Sequence, residues 1–194
     1  MAEIAVFGGT FDPPTIAHQA IIEACNEHPL IDEVWVMPSR CRLDKAGMLP
    51  DQVRMAMVEL LIKTYFNDVP VIPSDFEIGL PAPTETWRTV VALEEAYQND
   101  NFWFVWGADA YKGMDSWEQG QYLKENLRML VVARDASVLP TENERIKQIK
   151  APSVVQGISS TMIRQAMTRG DDVPEDVIAP EIAKFIHEHA LYRV

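Results

Sequence analysis

Apolar positions along the chain fall into two alternating rhythms. Residues 4–7 form a short unbroken apolar run closed by Gly8-Gly9, the pattern of a buried strand. Ala17, Ala20, Ile21, Ala24 and Cys25 then recur at helical spacing and predict a helix over 16–27. The alternation continues: a strand at 34–37 stopped by Pro38, and a helix over 51–64 with Val53, Met57, Leu60 and Leu61 inward. Beyond it come a short strand at 69–72, a helix over 86–97, and a strand at 102–106 ended by Gly107. Another strand covers 127–133, and a polar stretch over 135–150 carries no element in this reading. A brief strand at 154–155, a helix over 160–168 and a C-terminal helix over 180–189 complete the pattern. Trp35 and Trp103 lie inside strands and read as core.

Strands that alternate with helices need crossover connections, which make the sheet mostly parallel. The expected fold is α/β: a Rossmann-like, doubly wound sheet with helices on both faces and a C-terminal helical segment. In such sheets a ligand lies beyond the carboxyl ends of the strands. Attention therefore goes to 8–18, 38–45, 107–109 and 157–164, which are also the segments of unusual composition.

Composition narrows the partners. The 194 residues suit a single domain over 1–194, with 158–194 as its C-terminal helical subregion. A formal net charge of −12 repels nucleic-acid phosphates, so any phosphate site must be local, built from backbone amides and a few cations. Cys25 and Cys41 offer neither a disulfide framework nor a metal cluster. The N-terminus lacks the basic stretch and apolar run of a signal peptide, and no run is long enough to span a membrane. The expected compartment is the cytoplasm, with no membrane partner; a homo-oligomer stays open.

The richest chemistry lies in Gly8-Gly9-Thr10-Phe11-Asp12-Pro13-Pro14-Thr15-Ile16-Ala17-His18. Glycines after a strand let backbone approach a ligand and take positive φ. The prolines force an extended turn. Thr15 and His18 open the following helix, whose N-terminus presents unpaired N–H groups and partial positive charge. A hydroxyl and an imidazole added there form a phosphate clamp, in which His18 can stabilise charge as it develops. A second such place is Ile158-Ser159-Ser160-Thr161-Met162-Ile163-Arg164. Ser159 is an apt N-cap, and Arg164, one turn on, can pair its planar fork with phosphate oxygens.

The two strings together resemble the two signatures of the nucleotidyltransferase superfamily, whose first motif ends in His-x-Gly-His or Thr-x-Gly-His. Here it ends Thr15-Ile16-Ala17-His18. Thr15 stands where nicotinate-nucleotide adenylyltransferases usually carry histidine and phosphopantetheine adenylyltransferases commonly carry threonine. Ala17 replaces the usual glycine, and its methyl would narrow the space above the helix start. The resemblance implies an ATP site formed by Gly8, Gly9, Thr10, Phe11, His18, Gly107, Asp109, Ile158, Ser159, Ser160, Thr161 and Arg164, with His18, Thr15 and Arg164 acting on the phosphates.

Gly107-Ala108-Asp109 ends a strand, placing a carboxylate to accept hydrogen bonds from ribose hydroxyls. In pyridine-nucleotide adenylyltransferases a similar Gly-x-Asp precedes a tryptophan, here Trp117. A flat ring such as Trp117 or Trp87 could stack on a pyridine. Thr86-Trp87-Arg88 resembles the segment that holds the pyridine nucleotide in that family; Arg88 could face a nicotinate carboxylate or lie in solvent. Arg40, Arg42, Lys45 and Arg54 concentrate positive charge in an acidic chain. By position, Lys45 and Arg54 match a lysine and an arginine that the family places on the phosphates.

The reaction implied by the resemblance is attack of a nicotinate or nicotinamide mononucleotide phosphate on ATP. Mg²⁺ would be carried on the ATP phosphates, with no metal site of the protein's own. Phosphopantetheine as acceptor, and a dinucleotide-binding protein without turnover, remain open alternatives.

Overall fold

The computed structural model describes residues 1–40, 48–82, 84–133, 139–150, 157–171, 173–174 and 176–192. Six strands form one parallel sheet: β1 (Glu3–Gly9), β2 (Glu33–Pro38), β3 (Val71–Pro73), β4 (Asn101–Gly107), β5 (Arg128–Ala133) and β6 (Ile146–Lys150). Their order is β3-β2-β1-β4-β5-β6. The chain first winds outward from β1 on one side and then returns to β4 on the other. The crevice between β1 and β4 is thus the topological switch point.

Side chains alternate strictly across the sheet. Ala5, Phe7, Val34, Val36, Trp103, Val105, Leu130 and Val132 face α1 (Ile16–Asn26), α2 (Asp51–Tyr65), α7 (Ser160–Arg169) and α8 (Pro180–Glu188). Ile4, Val6, Trp35, Met37, Phe102, Phe104, Met129 and Val131 face the other layer. That layer contains α4 (Thr86–Ala96), α5 (Ala108–Gly113) and α6 (Gly120–Asn126). A four-residue helix, α3 (Phe76–Gly79), follows β3. The expected doubly wound parallel sheet, with helices on both faces, is what forms.

Three local expectations change. The polar stretch over 135–150 contains β6, an edge strand that buries Ile146 and Ile149 and turns lysines outward. Two apolar residues among five gave too little alternation to read. The short helices α3, α5 and α6 lie in segments with too few turns to show a helical period. The strand expected at 69–72 begins two positions later, because Val71 is the buried residue and Val69 is exposed. The strand expected at 154–155 lies outside the described residues.

Candidate active site

The ladder between β1 and β4 runs from Glu3–Asn101 to Val6–Phe104, although both strands continue to their glycines. The strands therefore part at their carboxyl ends. A cavity of about 220 Å³ fills the opening, lined on the sheet side by Val6, Gly8, Gly9, Phe104 and Trp106.

Residues 8–18 turn from β1 into α1 along one edge of this crevice. The left-handed residue of the turn is Phe11, with φ of 49°; among the described residues, positive-φ glycines occur at Gly157 and Gly170, not at Gly8 or Gly9. The expected positive φ thus falls on Phe11, whose buried ring repays the conformation by packing on Phe7 and against His18. Gly9 serves a different end: a Cβ there would stand 3.1 Å from the Phe11 ring.

Thr15 is the N-cap of α1. Its hydroxyl accepts a bond from the His18 backbone N–H at 3.4 Å, and its own backbone N–H donates to His18 Nδ1 at 3.0 Å. The two residues form a reciprocal capping box with histidine in the place usual for Glu or Gln. Because Nδ1 accepts, the ring proton sits on Nε2. Thr15 itself is 1% exposed, so it addresses the phosphate site through His18. Ala17 is buried in the core beneath α1, so its methyl does not narrow the crevice as expected.

The second signature reaches the first through two hydrogen bonds. Ser159 caps α7, its hydroxyl accepting from the Met162 backbone N–H at 3.3 Å. The Ser160 hydroxyl donates to the Pro13 carbonyl at 2.7 Å, and Arg164 Nη1 donates to the Asp12 carbonyl at 2.6 Å. Arg164 Nη2 also donates to Thr161 Oγ1 at 3.2 Å. Two helix N-termini, those of α1 and α7, are thereby joined at the same turn, with Ile158 half-buried beside it. On the far side of the crevice Gly107 ends β4 and Asp109 stands exposed in the first turn of α5.

Arg54 requires a correction. It is fully buried, and its guanidinium donates to the carbonyls of Thr10 at 2.7 Å, Ser39 at 2.6 Å and Leu49 at 3.0 Å, and pairs with Asp51. It clamps the backbone of both crevice loops and does not extend a hand to substrate phosphates. Lys45 and Arg42 lie outside the described residues.

The segment at 86–88 divides by helical geometry. Thr86, Thr89 and Val90 share one face of α4 and line the cavity. Trp87 and Arg88 lie on the opposite face, in a surface depression with Leu80 and Val91. The Trp87 indole donates to Glu118 at 3.1 Å, and the Arg88 guanidinium sits 5.1 Å over the Trp87 ring. Their expected contact with the pyridine nucleotide is therefore replaced by surface packing. Trp117 packs edge-on against Trp106 at 5.4 Å and does not itself line the cavity, whose wall carries Trp106 and Phe104. The Trp106 indole N–H is buried without a hydrogen-bond partner among the described residues.

Ser39 and Arg40, from the segment 38–45 singled out after the second strand, line the cavity, as do Glu77 and Thr84, which sequence reasoning missed. Glu77 accepts from the Arg40 backbone N–H at 3.2 Å, with Arg40 in turn donating to the Leu80 carbonyl. Burial pushes the Glu77 carboxyl above its ordinary range, and the Arg40 backbone, Thr84 and Thr89 oppose that shift. An acidic residue in a short helix off an edge strand gives no sequence signal; only its position under the crevice marks it.

A doubly wound parallel sheet with a crevice at its switch point, bordered by two capped helix N-termini, is an architecture suited to binding nucleotides. A family model described as cytidylyltransferase-like matches residues 6–166, and the chain belongs to that family. It is 32% identical to a Bacteroides thetaiotaomicron protein named "Probable nicotinate-nucleotide adenylyltransferase", over 95% of this chain and 90% of that one. A Flavobacterium johnsoniae protein of the same name is 29% identical, over 98% and 99%. In fold the chain is similar to Plasmodium falciparum nicotinic acid mononucleotide adenylyltransferase. Its complex with NaAD superposes at a TM-score of 0.84 with 24% identity, covering 99% and 98% of the two chains. The complex of that enzyme with APC gives 0.82 at 23%, with the same coverage. Among the described residues no helix is long and apolar enough to cross a membrane.

Proposed function

We propose that this chain transfers AMP from ATP to the 5′-phosphate of nicotinate or nicotinamide mononucleotide, forming the dinucleotide and pyrophosphate for NAD biosynthesis. The observation that carries this reading is the junction of the two signatures, where Arg164 and Ser160 bond the carbonyls of Asp12 and Pro13. That junction faces two helix N-termini and a histidine toward one place, an arrangement suited to a polyphosphate. The kinship with nicotinate-nucleotide adenylyltransferases supports the choice of acceptor.

An oxygen of the mononucleotide phosphate attacks the α-phosphorus in line, the bond to the bridging oxygen breaks, and pyrophosphate leaves with that electron pair. The phosphate is already a nucleophile near neutral pH, so positioning and charge stabilisation carry the catalysis. His18 Nε2–H donates to an α-phosphoryl oxygen as charge grows there. Thr15 holds the ring in that tautomer. Ser159, Ser160, Thr161 and Arg164 take the leaving phosphates, with Gly8, Gly9, Thr10 and Phe11 shaping the turn beneath them. Gly107 and Asp109 receive the ribose. The pyridine enters the cavity beside Thr86 and Trp106, whose indole N–H, unpartnered among the described residues, offers its ring substituent a donor.

The side chains around the junction are mainly hydrogen-bond donors, which suits phosphate oxygens that themselves carry Mg²⁺. The metal, coordinated largely by substrate and water, would neutralise charge on the leaving pyrophosphate. Pyrophosphate release measured with ATP, Mg²⁺ and each acceptor tests the proposal. Turnover with a pyridine mononucleotide is expected; dinucleotide binding without turnover on any acceptor would overturn it.

A further inference from the structure

Tyr192, near the end of the chain, reaches back to the first signature. Its hydroxyl donates to Asp12 Oδ1 at 2.6 Å, although the two residues are separated by nearly the whole sequence. Asp12 is 2% exposed, and its other oxygen accepts from the Leu49 backbone N–H at 3.4 Å. The Asp12 carbonyl is the acceptor that holds Arg164. Tyr192 is also tied to the second signature helix, since the Thr168 hydroxyl is shared between the carbonyls of Arg164 at 2.9 Å and Tyr192 at 3.4 Å. One residue thus touches both signatures, its hydroxyl on Asp12 and its backbone carbonyl on Thr168. Tyr192 adopts a left-handed backbone with φ of 60°, a conformation that a bulky residue keeps only where its surroundings hold it.

We propose that Tyr192 is a positioning residue for ATP: by occupying Asp12 Oδ1 it keeps that carboxylate off the Arg164 guanidinium and leaves Arg164 bound to the Asp12 carbonyl, with its fork toward the phosphates. A buried carboxylate deprived of its donor would turn to the nearest cation, and Arg164 and Arg54 both lie close enough to act on the tyrosine electrostatically. Arg54 already directs four of its five N–H groups to the carbonyls of Thr10, Ser39 and Leu49 and to the Asp51 carboxylate, against two for Arg164 among the described residues, so Arg164 is the cation at risk. Burial and the Asp12 hydrogen bond push the Tyr192 hydroxyl well above its ordinary range, so it remains a donor at working pH.

This inference rests on the ATP half of the proposed function and is independent of the acceptor. The test is calorimetric binding of ATP without acceptor, together with melting temperatures. Tyr192→Phe removes only the hydroxyl and is expected to weaken ATP about fivefold to tenfold, the worth of one hydrogen bond. In an Arg164→Ala background the same change should cost less than about twofold, because the group it positions is gone. Arg164→Lys, which keeps the charge and lacks the fork, replaces Arg164→Ala if that variant does not fold. Unchanged ATP affinity in Tyr192→Phe, or an equal loss in both backgrounds, overturns the role, as does a lowered melting temperature with normal affinity. Wild-type protein that binds ATP yet turns over no pyridine mononucleotide would sink the acceptor assignment alone; wild-type protein that binds no ATP sinks both.

Discussion

The Thr15 hydroxyl lies 2.8 Å from Nδ1 of His18, and the Thr15 backbone N–H donates to that same nitrogen. One residue therefore begins α1, orients the imidazole and assigns its proton to Nε2. Stability of the helix start and readiness of the phosphate donor are coupled in a single cap.

That coupling separates two substitutions. His18→Ala should lower turnover by at least ~10²-fold with little change in melting temperature, because it removes a charge-stabilising donor from a half-buried position. Thr15→Ala should lose the hydroxyl cap while the backbone N–H still holds Nδ1, destabilising by about 1 kcal/mol and reducing turnover less than the histidine change does. Thr15→Ser keeps the hydroxyl and should retain most of both. Pyrophosphate-release rates beside thermal melts decide the matter; near-normal turnover in His18→Ala refutes the role given to it.

Arg54 should behave as a structural residue. Arg54→Met leaves the carbonyls of Thr10, Ser39 and Leu49 without their donor in a site closed to water. A loss of roughly 3–5 kcal/mol is expected, the usual cost of removing one partner from a buried charged network. Urea unfolding reads this directly. A variant as stable as the wild type, with only its substrate KM raised, would restore the phosphate-binding role.

Cys25 is fully buried, and burial pushes its thiol up to about 12 from 9.0. The folded state therefore holds its proton where the unfolded chain releases it. The stability this contributes is intact below about pH 9 and declines as pH rises through 9 to 12, by up to about tenfold in the folding constant per unit. Urea midpoints between pH 9 and 10 should fall more steeply for the wild type than for Cys25→Ala. Alkylation of Cys25 should likewise wait for unfolding; rapid modification of Cys25 itself in the native protein, read in a Cys41→Ser background, would contradict the burial.

Much of the fold was readable because its core strands are unbroken apolar runs, as in residues 4–7 and 102–106, and because its longer helices repeat over several turns. β6 was not, since its two buried residues, Ile146 and Ile149, are three apart and fall on opposite faces of the sheet, a spacing that matches no strand alternation. Within the site, His18, Ser159 and Arg164 were legible from strings that pair helix starts with phosphate-binding side chains. Glu77, Thr84 and Trp106 were not, because no local pattern distinguishes a cavity wall from an ordinary helix or strand end.

Local chemistry alone determined the core strands and longer helices, the cap at Ser159, and the pairing of two phosphate-binding segments with a parallel sheet. Which side chains turn inward was a tertiary decision. The α4 register sends Thr86 to the crevice and Trp87 to the surface. The depth of α2 converts Arg54 from a surface cation into a buried clamp. Packing of the C-terminal segment brings Tyr192 onto Asp12. Each depends on contacts between residues far apart in the chain, where burial and the need to satisfy every polar group override what neighbours in sequence suggest.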